Sequence, residues 1–111
     1  MAHLVVHGKE IATDKDGFLK HLDDWSPEVA TALAETVDIQ LTDTHWELIS
    51  LVQEFYQKFG LSPAMRPLIK YAKLELGVDK GNSLYFLQHF PGSPAKILSK
   101  VAGLPRPDNC L

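Results

Sequence analysis

The chain carries a single sulfur nucleophile, Cys110, together with five histidines. One cysteine cannot close an internal disulfide, and it would need several histidines around it to build a zinc site. His3, His7, His21, His45 and His89 show no H-E-x-x-H or related ligand spacing, so no bound metal is expected. The histidine nearest to Cys110 in sequence is His89, and no Cys/His signature activates the thiol locally. A lone cysteine is commonly a small packing residue. Cys110, however, stands one place from the end of the chain, past Pro105 and Pro107 and beside Asp108 and Asn109, where joining a core is difficult. An inert exposed thiol and a functional one both remain open. A functional one would act by delivery: it would enter another protein's site, attack sulfur there, and accept or hand on a group. Ser99 has no visible base or oxyanion partner and reads as a surface or helix-interior serine. Trp25 and Trp46, near helix starts, read as core anchors rather than cofactor-stacking rings, and no cofactor is expected.

The charges around that thiol are unevenly distributed. Residues 1–57 hold three lysines against eleven acids, a net of −8, whereas residues 58–111 hold eight basic residues against three acids, a net of +5. Arg66, Lys70 and Lys73 fall at i, i+4 and i+7, and Lys96 and Lys100 repeat the spacing closer to Cys110. Such stripes suit docking to an acidic protein surface, an ordinary solvated face, or RNA. The overall charge of −3 and the absence of a nucleic-acid motif favour a protein partner, with any tRNA contact indirect.

The elements that must position these groups can be read from capping and periodicity. The 111 residues suffice for one domain with its own core; 45% are hydrophobic and 23% charged, and no apolar run reaches membrane-spanning length. With no basic, secretion-type leader at Met1–His7, a cytoplasmic protein is expected. Leu4–Val6 and Ile11–Thr13 predict a small β-hairpin, with Gly8 at the first centre of a type II′ turn. Residues 14–24 form a polar stretch. Ser26-Pro27, Ser62-Pro63 and Ser93-Pro94 each offer a hydroxyl N-cap and then proline at the first helical position. Helices are predicted at 27–36, 43–59, 63–76, 82–89 and 94–102, closed in part by Gly60, Gly77 and Gly103. In the longest, Leu48, Val52, Phe55 and Phe59 make an apolar stripe assigned to the core. Pro67 predicts a kink or a later start in the third helix. The predicted class is α+β, predominantly α, with residues 1–103 as the globular domain and 104–111 as a mobile C-terminal arm carrying the cysteine, able to reach about 26 Å when stretched.

Several segments together resemble one family. Phe90-Pro91-Gly92-Ser93-Pro94-Ala95-Lys96, Val101-Ala102-Gly103-Leu104-Pro105-Arg106-Pro107 and the penultimate Cys110 are similar to the C-terminal signature of the DsrC/TusE family. Leu41-Thr42-Asp43-Thr44-His45-Trp46-Glu47, Ser62-Pro63-Ala64-Met65-Arg66 and Lys80-Gly81-Asn82-Ser83 extend the resemblance along the chain. It implies an N-terminal hairpin on an orthogonal bundle of about five helices. Members that work with dissimilatory sulfite reductase carry a second cysteine where this chain has Ser99, so the resemblance is to the TusE branch. For that branch it implies a sulfurtransferase that takes a persulfide from a TusBCD-like donor complex and passes it toward an MnmA-like thiouridylase for 2-thiolation of tRNA. Carried onto this sequence, Cys110 would bear the persulfide, Gly103, Pro105 and Pro107 would shape the arm, and Lys96, Lys100 and Arg106 would be docking or thiolate-favouring charges. The alternatives are a partner of sulfite-reducing or sulfur-oxidising machinery, and a non-catalytic binding or regulatory module built on a helix-turn-helix-like pair.

Overall fold

A computed structural model of the chain describes residues 3–107. It contains a two-stranded antiparallel hairpin, β1 (His3–Val6) and β2 (Lys9–Ala12), and five helices: α1 (Pro27–Glu35), α2 (Asp43–Phe59), α3 (Met65–Leu76), α4 (Ser83–His89) and α5 (Pro94–Val101). The hairpin pairs Val6 with Lys9 and Leu4 with Ile11. Leu4, Val6 and Ile11 turn toward the core while Val5 faces solvent, the alternation that a half-buried strand pair requires. Its turn differs from the sequence expectation. His7 and Gly8 both have positive φ, 51° and 79°, which is the type I′ pattern, and Gly8 takes the second centre rather than the first centre of a type II′ turn. Type I′ suits the twist of a two-residue hairpin, and here a histidine tolerates the left-handed position.

Helix ends obey local chemistry. Ser26 Oγ accepts the Val29 N–H at 3.2 Å and Pro27 opens α1. Asn82 Oδ1 caps α4 by accepting the Tyr85 N–H at 2.9 Å. Helix α3 begins at Met65, two residues later than Ser62-Pro63 suggested, with Ala64 as its N-cap. Pro67 thereby falls in the first turn, where no N–H is owed to the helix, and the later start removes any need for a kink. The α2 stripe is core at Leu48, Val52 and Phe55, but Phe59 is 55% exposed. The last turn of α2 runs past the core, and the Phe59 ring rests on Phe55 and Tyr71 instead.

Helix α5 is the hub: it touches α1, α2, α3 and α4 and buries Ala95, Leu98, Ser99 and Val101. Its Leu98 joins Leu33, Leu48, Leu68, Phe86 and Phe90 in the buried core, each of these side chains contributing about 1.5–3 kcal/mol of apolar burial. Because α5 lies at the centre, the chain that leaves its C-terminal end starts from a point anchored in the core. No helix among the described residues is long and apolar enough to cross a membrane.

Candidate functional site at the root of the C-terminal segment

Cys110, the expected nucleophile, lies outside the described residues. The structure does show the platform from which the chain departs toward it. Gly103 closes α5 with φ +76° and presses against Trp25; a Cβ there would stand 2.3 Å from Trp25 Cδ1. Only glycine meets both demands. Trp25 Nε1–H donates to the Val101 carbonyl at 2.9 Å, and Gln53 Nε2 on α2 donates to the Ala102 carbonyl at 3.0 Å. The Leu104 N–H returns to the Ser99 carbonyl at 2.9 Å, and the Leu104 side chain is buried. The Ser62 hydroxyl donates to the Pro105 carbonyl, and Pro107 is fully buried. Residues 104–107, assigned to the arm because two prolines block a helix, are thus held against the body. Three residue steps then separate Pro107 from Cys110, a stretch of at most about 11 Å.

The three candidate cations converge here. Arg106 Nη2 donates to Asp16 Oδ2 and lies 3.7 Å from Asp14 Oδ2, while its guanidinium sits 5.1 Å from the centre of the Phe18 ring. Lys100 Nζ lies 5.8 Å from the same ring centre, and its methylene stem runs along Gly17. Burial, and then the neighbouring Lys96 ammonium, hold the Lys100 pKa below that of an ordinary lysine, against the pull of Asp16 and Asp14. The Arg106 hydrogen bond in turn holds the Asp16 carboxyl below the usual carboxylate range, with burial opposing it. Lys96, Lys100 and Arg106 therefore form one cluster, but it is built around two carboxylates, and Arg106 is paired rather than free.

The receiving turn is a feature the sequence reading missed, having treated 14–24 as a polar stretch. Asp14 Oδ1 accepts the N–H groups of Asp16 at 2.8 Å and Phe18 at 3.0 Å. Asp14 N–H to Phe18 O at 2.8 Å closes the backbone, and Gly17 takes φ +93°. Asp-x-Asp-Gly is a turn signal in sequence, an aspartate folding its own backbone next to a glycine. What it receives, Arg106, is 90 residues away.

Two further side chains bear on the site. Ser99 is 0% exposed on α5, and among the described residues its Oγ is the one buried side-chain oxygen or nitrogen without a hydrogen-bond partner. His45 is buried at the start of α2. Its Nδ1 accepts the Thr42 N–H at 3.0 Å, which leaves Nε2–H to donate to the His89 carbonyl at 3.0 Å. Burial first, then His89, push the His45 pKa down, against the raising effect of the carbonyl bond. The histidine thus fills the place a Glu or Gln takes in a capping box. Arg66, Lys70 and Lys73 form an exposed row on α3, separate from the cluster on α5. Trp25 and Trp46 pack partly buried against the core. Among the described residues no group of three His, Cys, Asp or Glu side chains is gathered as a metal ion would require.

Comparison with known proteins agrees with this architecture. The family described as DsrC like protein matches residues 5–111. The Haemophilus influenzae protein named Sulfurtransferase TusE homolog is 49% identical over 108 residues, 97% of this chain and 99% of that protein. Sulfurtransferase TusE of Escherichia coli is 44% identical over 108 residues, with the same coverage of 97% and 99%. Among solved structures, Allochromatium vinosum DsrC aligns with a TM-score of 0.88 at 40% identity, covering 98% of this chain and 97% of that one. Oxidized DsrC of Archaeoglobus fulgidus, the gamma subunit of dissimilatory sulfite reductase, aligns with a TM-score of 0.85 at 38% identity, covering 99% and 100%.

Proposed function

The chain belongs to the DsrC-like family, and from that premise we propose that it is a sulfur carrier whose Cys110 accepts a persulfide sulfur from a donor protein and relays it toward 2-thiouridine formation in tRNA. Its relatives named Sulfurtransferase TusE, matched over nearly their whole length, support sulfur transfer as the activity. The observation that carries the reading is that the only thiol of the chain stands three residues past a root gripped at Gly103, Pro105, Arg106 and Pro107. A self-contained active site is not needed for such a role. Rigid support and a short reach are.

In the proposed step the Cys110 thiolate attacks the outer sulfur of a donor persulfide. The donor's S–S bond breaks, its inner sulfur leaves as a thiolate with the bond's electron pair, and a new S–S bond forms on Cys110. Passing the sulfur on is the same exchange in reverse with a new partner, and neither step changes the total count of electrons. The delivering segment is residues 108–111, because those before it are held. The donor is a TusBCD-like complex and the acceptor an MnmA-like thiouridylase; tRNA is met through that acceptor, in the cytoplasm. Lys96 and Lys100 favour the thiolate and the docking of an acidic donor surface.

Ser99 disfavours the sulfite-reductase reading. A hydroxyl cannot join Cys110 in a disulfide, so the oxidised, internally bridged form implied for those members is closed to this chain. The test is reconstituted tRNA thiolation with donor complex and thiouridylase: wild type should restore 2-thiouridine and Cys110→Ser should not. Equal product from both would end the proposal.

A further inference from the structure

We propose that the exposed ridge running along α3, over the turn at residues 77–82 and onto α4 is a docking surface for a protein partner that presents carboxylates around apolar side chains. Under the sulfur-carrier reading, on which this rests, that partner is one of the proteins between which the sulfur passes. Among the described residues eight large apolar side chains are exposed, and four of them, Leu74, Val78, Leu84 and Leu87, fall between residues 74 and 87. Leu74, Val78 and Leu84 are 74%, 69% and 64% exposed, more than any other of the eight. Single exposed apolar side chains are ordinary on a protein surface, whereas a group of them marks a place of contact. The chain path gathers these. Gly81 packs directly on the α3 backbone, where a Cβ would stand 2.4 Å from Lys73 Cα, an approach open only to glycine. The Gly81 N–H donates to the Gly77 carbonyl at 2.9 Å, and Asn82 Nδ2 donates to the Val78 and Asp79 carbonyls at 3.2 and 2.8 Å, which holds the turn closed. Leu74 follows Lys73 by one residue and Leu84 follows Gly81 by three, so both belong to one tightly held junction with Val78 between them. Leu87, at i+3 from Leu84, continues the exposed face of α4 while Phe86 turns into the core.

Charge states what covers this face. Arg66, Lys70, Lys73 and Leu74 fall at i, i+4, i+7 and i+8 on the exposed side of α3, opposite the buried Leu68 and Ala72. Among the described residues none of the three cations is in an ion pair, whereas Lys58, Lys80 and Arg106 each have a carboxylate within 4 Å. Glu75, the one acid of α3, is directed to Glu54 and Lys58 on α2, and Lys80 is taken by Glu47. That leaves Asp79 as the one carboxylate in residues 76–89. Three unpaired cations leading into a group of exposed leucines and a valine are complementary to a surface of carboxylates around apolar side chains: the charges speed encounter, and the apolar contacts hold the complex. The apolar residues are aliphatic, so they offer no platform on which nucleic-acid bases would stack, and a protein fits the ridge better than RNA.

The test uses the full-length chain as wild type, as Leu74→Ser with Leu84→Ser, as Arg66→Gln with Lys70→Gln and Lys73→Gln, and as Val5→Ser, an exposed apolar control on the hairpin. All the substituted side chains are exposed, so urea midpoints should match wild type. Binding to a TusBCD-type donor complex and to an MnmA-type thiouridylase is measured separately by biolayer interferometry over a salt series. With at least one of the two proteins, the leucine variant should bind about tenfold or more weakly through faster dissociation. With the same protein, the charge variant should associate about three- to tenfold more slowly with a flatter salt dependence, and Val5→Ser should bind as wild type does. Wild-type binding by either ridge variant to both proteins, equal weakening by Val5→Ser, or no binding by wild type overturns the proposal. So does an effect of the ridge variants confined to tRNA binding, or confined to self-association in sedimentation, which would assign the face to RNA or to a second copy. Sulfur uptake from saturating donor, followed by mass, is read alongside. Uptake by wild type with ridge variants that bind normally leaves the carrier reading intact and removes the ridge; no uptake from an active donor removes the carrier reading and with it the identity of the partner.

Discussion

Replacing Gly103 by alanine should be among the most damaging single changes in this chain, and its cost can be worked from the structure. Gly103 has φ +76°, a conformation that costs an L-residue about 1–2 kcal/mol. The new Cβ would also stand 2.3, 2.6 and 2.8 Å from Cδ1, Cγ and Cβ of Trp25, so the indole must move. Moving it strains a packed site by about 1–3 kcal/mol. It also stretches the Trp25 Nε1–Val101 bond, worth about 1 kcal/mol. The total is about 3–6 kcal/mol, a large part of the 5–15 kcal/mol typical of a domain this size. Gly60 supplies the control. Its φ is +73° but nothing lies within 4 Å of its would-be Cβ, so Gly60→Ala should cost only the backbone strain of about 1–2 kcal/mol. Urea unfolding monitored by far-UV circular dichroism measures both, and Trp fluorescence reports the displaced indole. A difference between the two variants below about 1 kcal/mol would refute the reasoning, because the contact with Trp25 would then carry no energy.

Other consequences are open to direct measurement. Ser99→Ala removes a buried hydroxyl that has no partner, so it should stabilise the protein by about 1 kcal/mol in urea unfolding, where most buried serine truncations destabilise. The depressed pKa of His45 means that the unfolded chain binds its proton more readily than the folded one. Its contribution is present above the unfolded value near 6.5 and is lost as pH falls from there through the lower folded pKa. His45→Gln keeps an acceptor for the Thr42 N–H but does not titrate, so its stability should fall less steeply than wild type over that window; parallel curves would reject the assignment. Neutralising Lys96 and Lys100 together should slow association with an acidic donor protein and flatten its salt dependence, read by stopped-flow over a salt series.

What could be read in the sequence was what neighbouring residues decide. Ser26-Pro27, Asn82 and Gly60 set helix ends through contacts within a few residues, and those ends lie where capping rules put them. The hairpin was legible from its alternating apolar residues, but its turn class was not, since a histidine in the left-handed region has no strong local signal. Helix α3 starts late because Ser62, which looks like a cap, is drawn to the Pro105 carbonyl by tertiary structure. The capping role of His45 has no clear sequence signal because that place is ordinarily filled by Glu or Gln, and its second bond goes to His89, 44 residues away. The site divides in the same manner. Cys110 and the three cations stood out by type and position, whereas Asp14, Asp16 and Phe18 acquire meaning only when α5 and the hairpin are brought together.

The most direct measurement of the central claim is intact-protein mass spectrometry of wild type and Cys110→Ser after incubation with a cysteine desulfurase, L-cysteine and the upstream relay proteins. The account predicts a gain of one sulfur atom on wild type, reversed by reductant and absent from Cys110→Ser. Wild type left at its original mass by a relay shown to be active, or sulfur gained equally by Cys110→Ser, would contradict it.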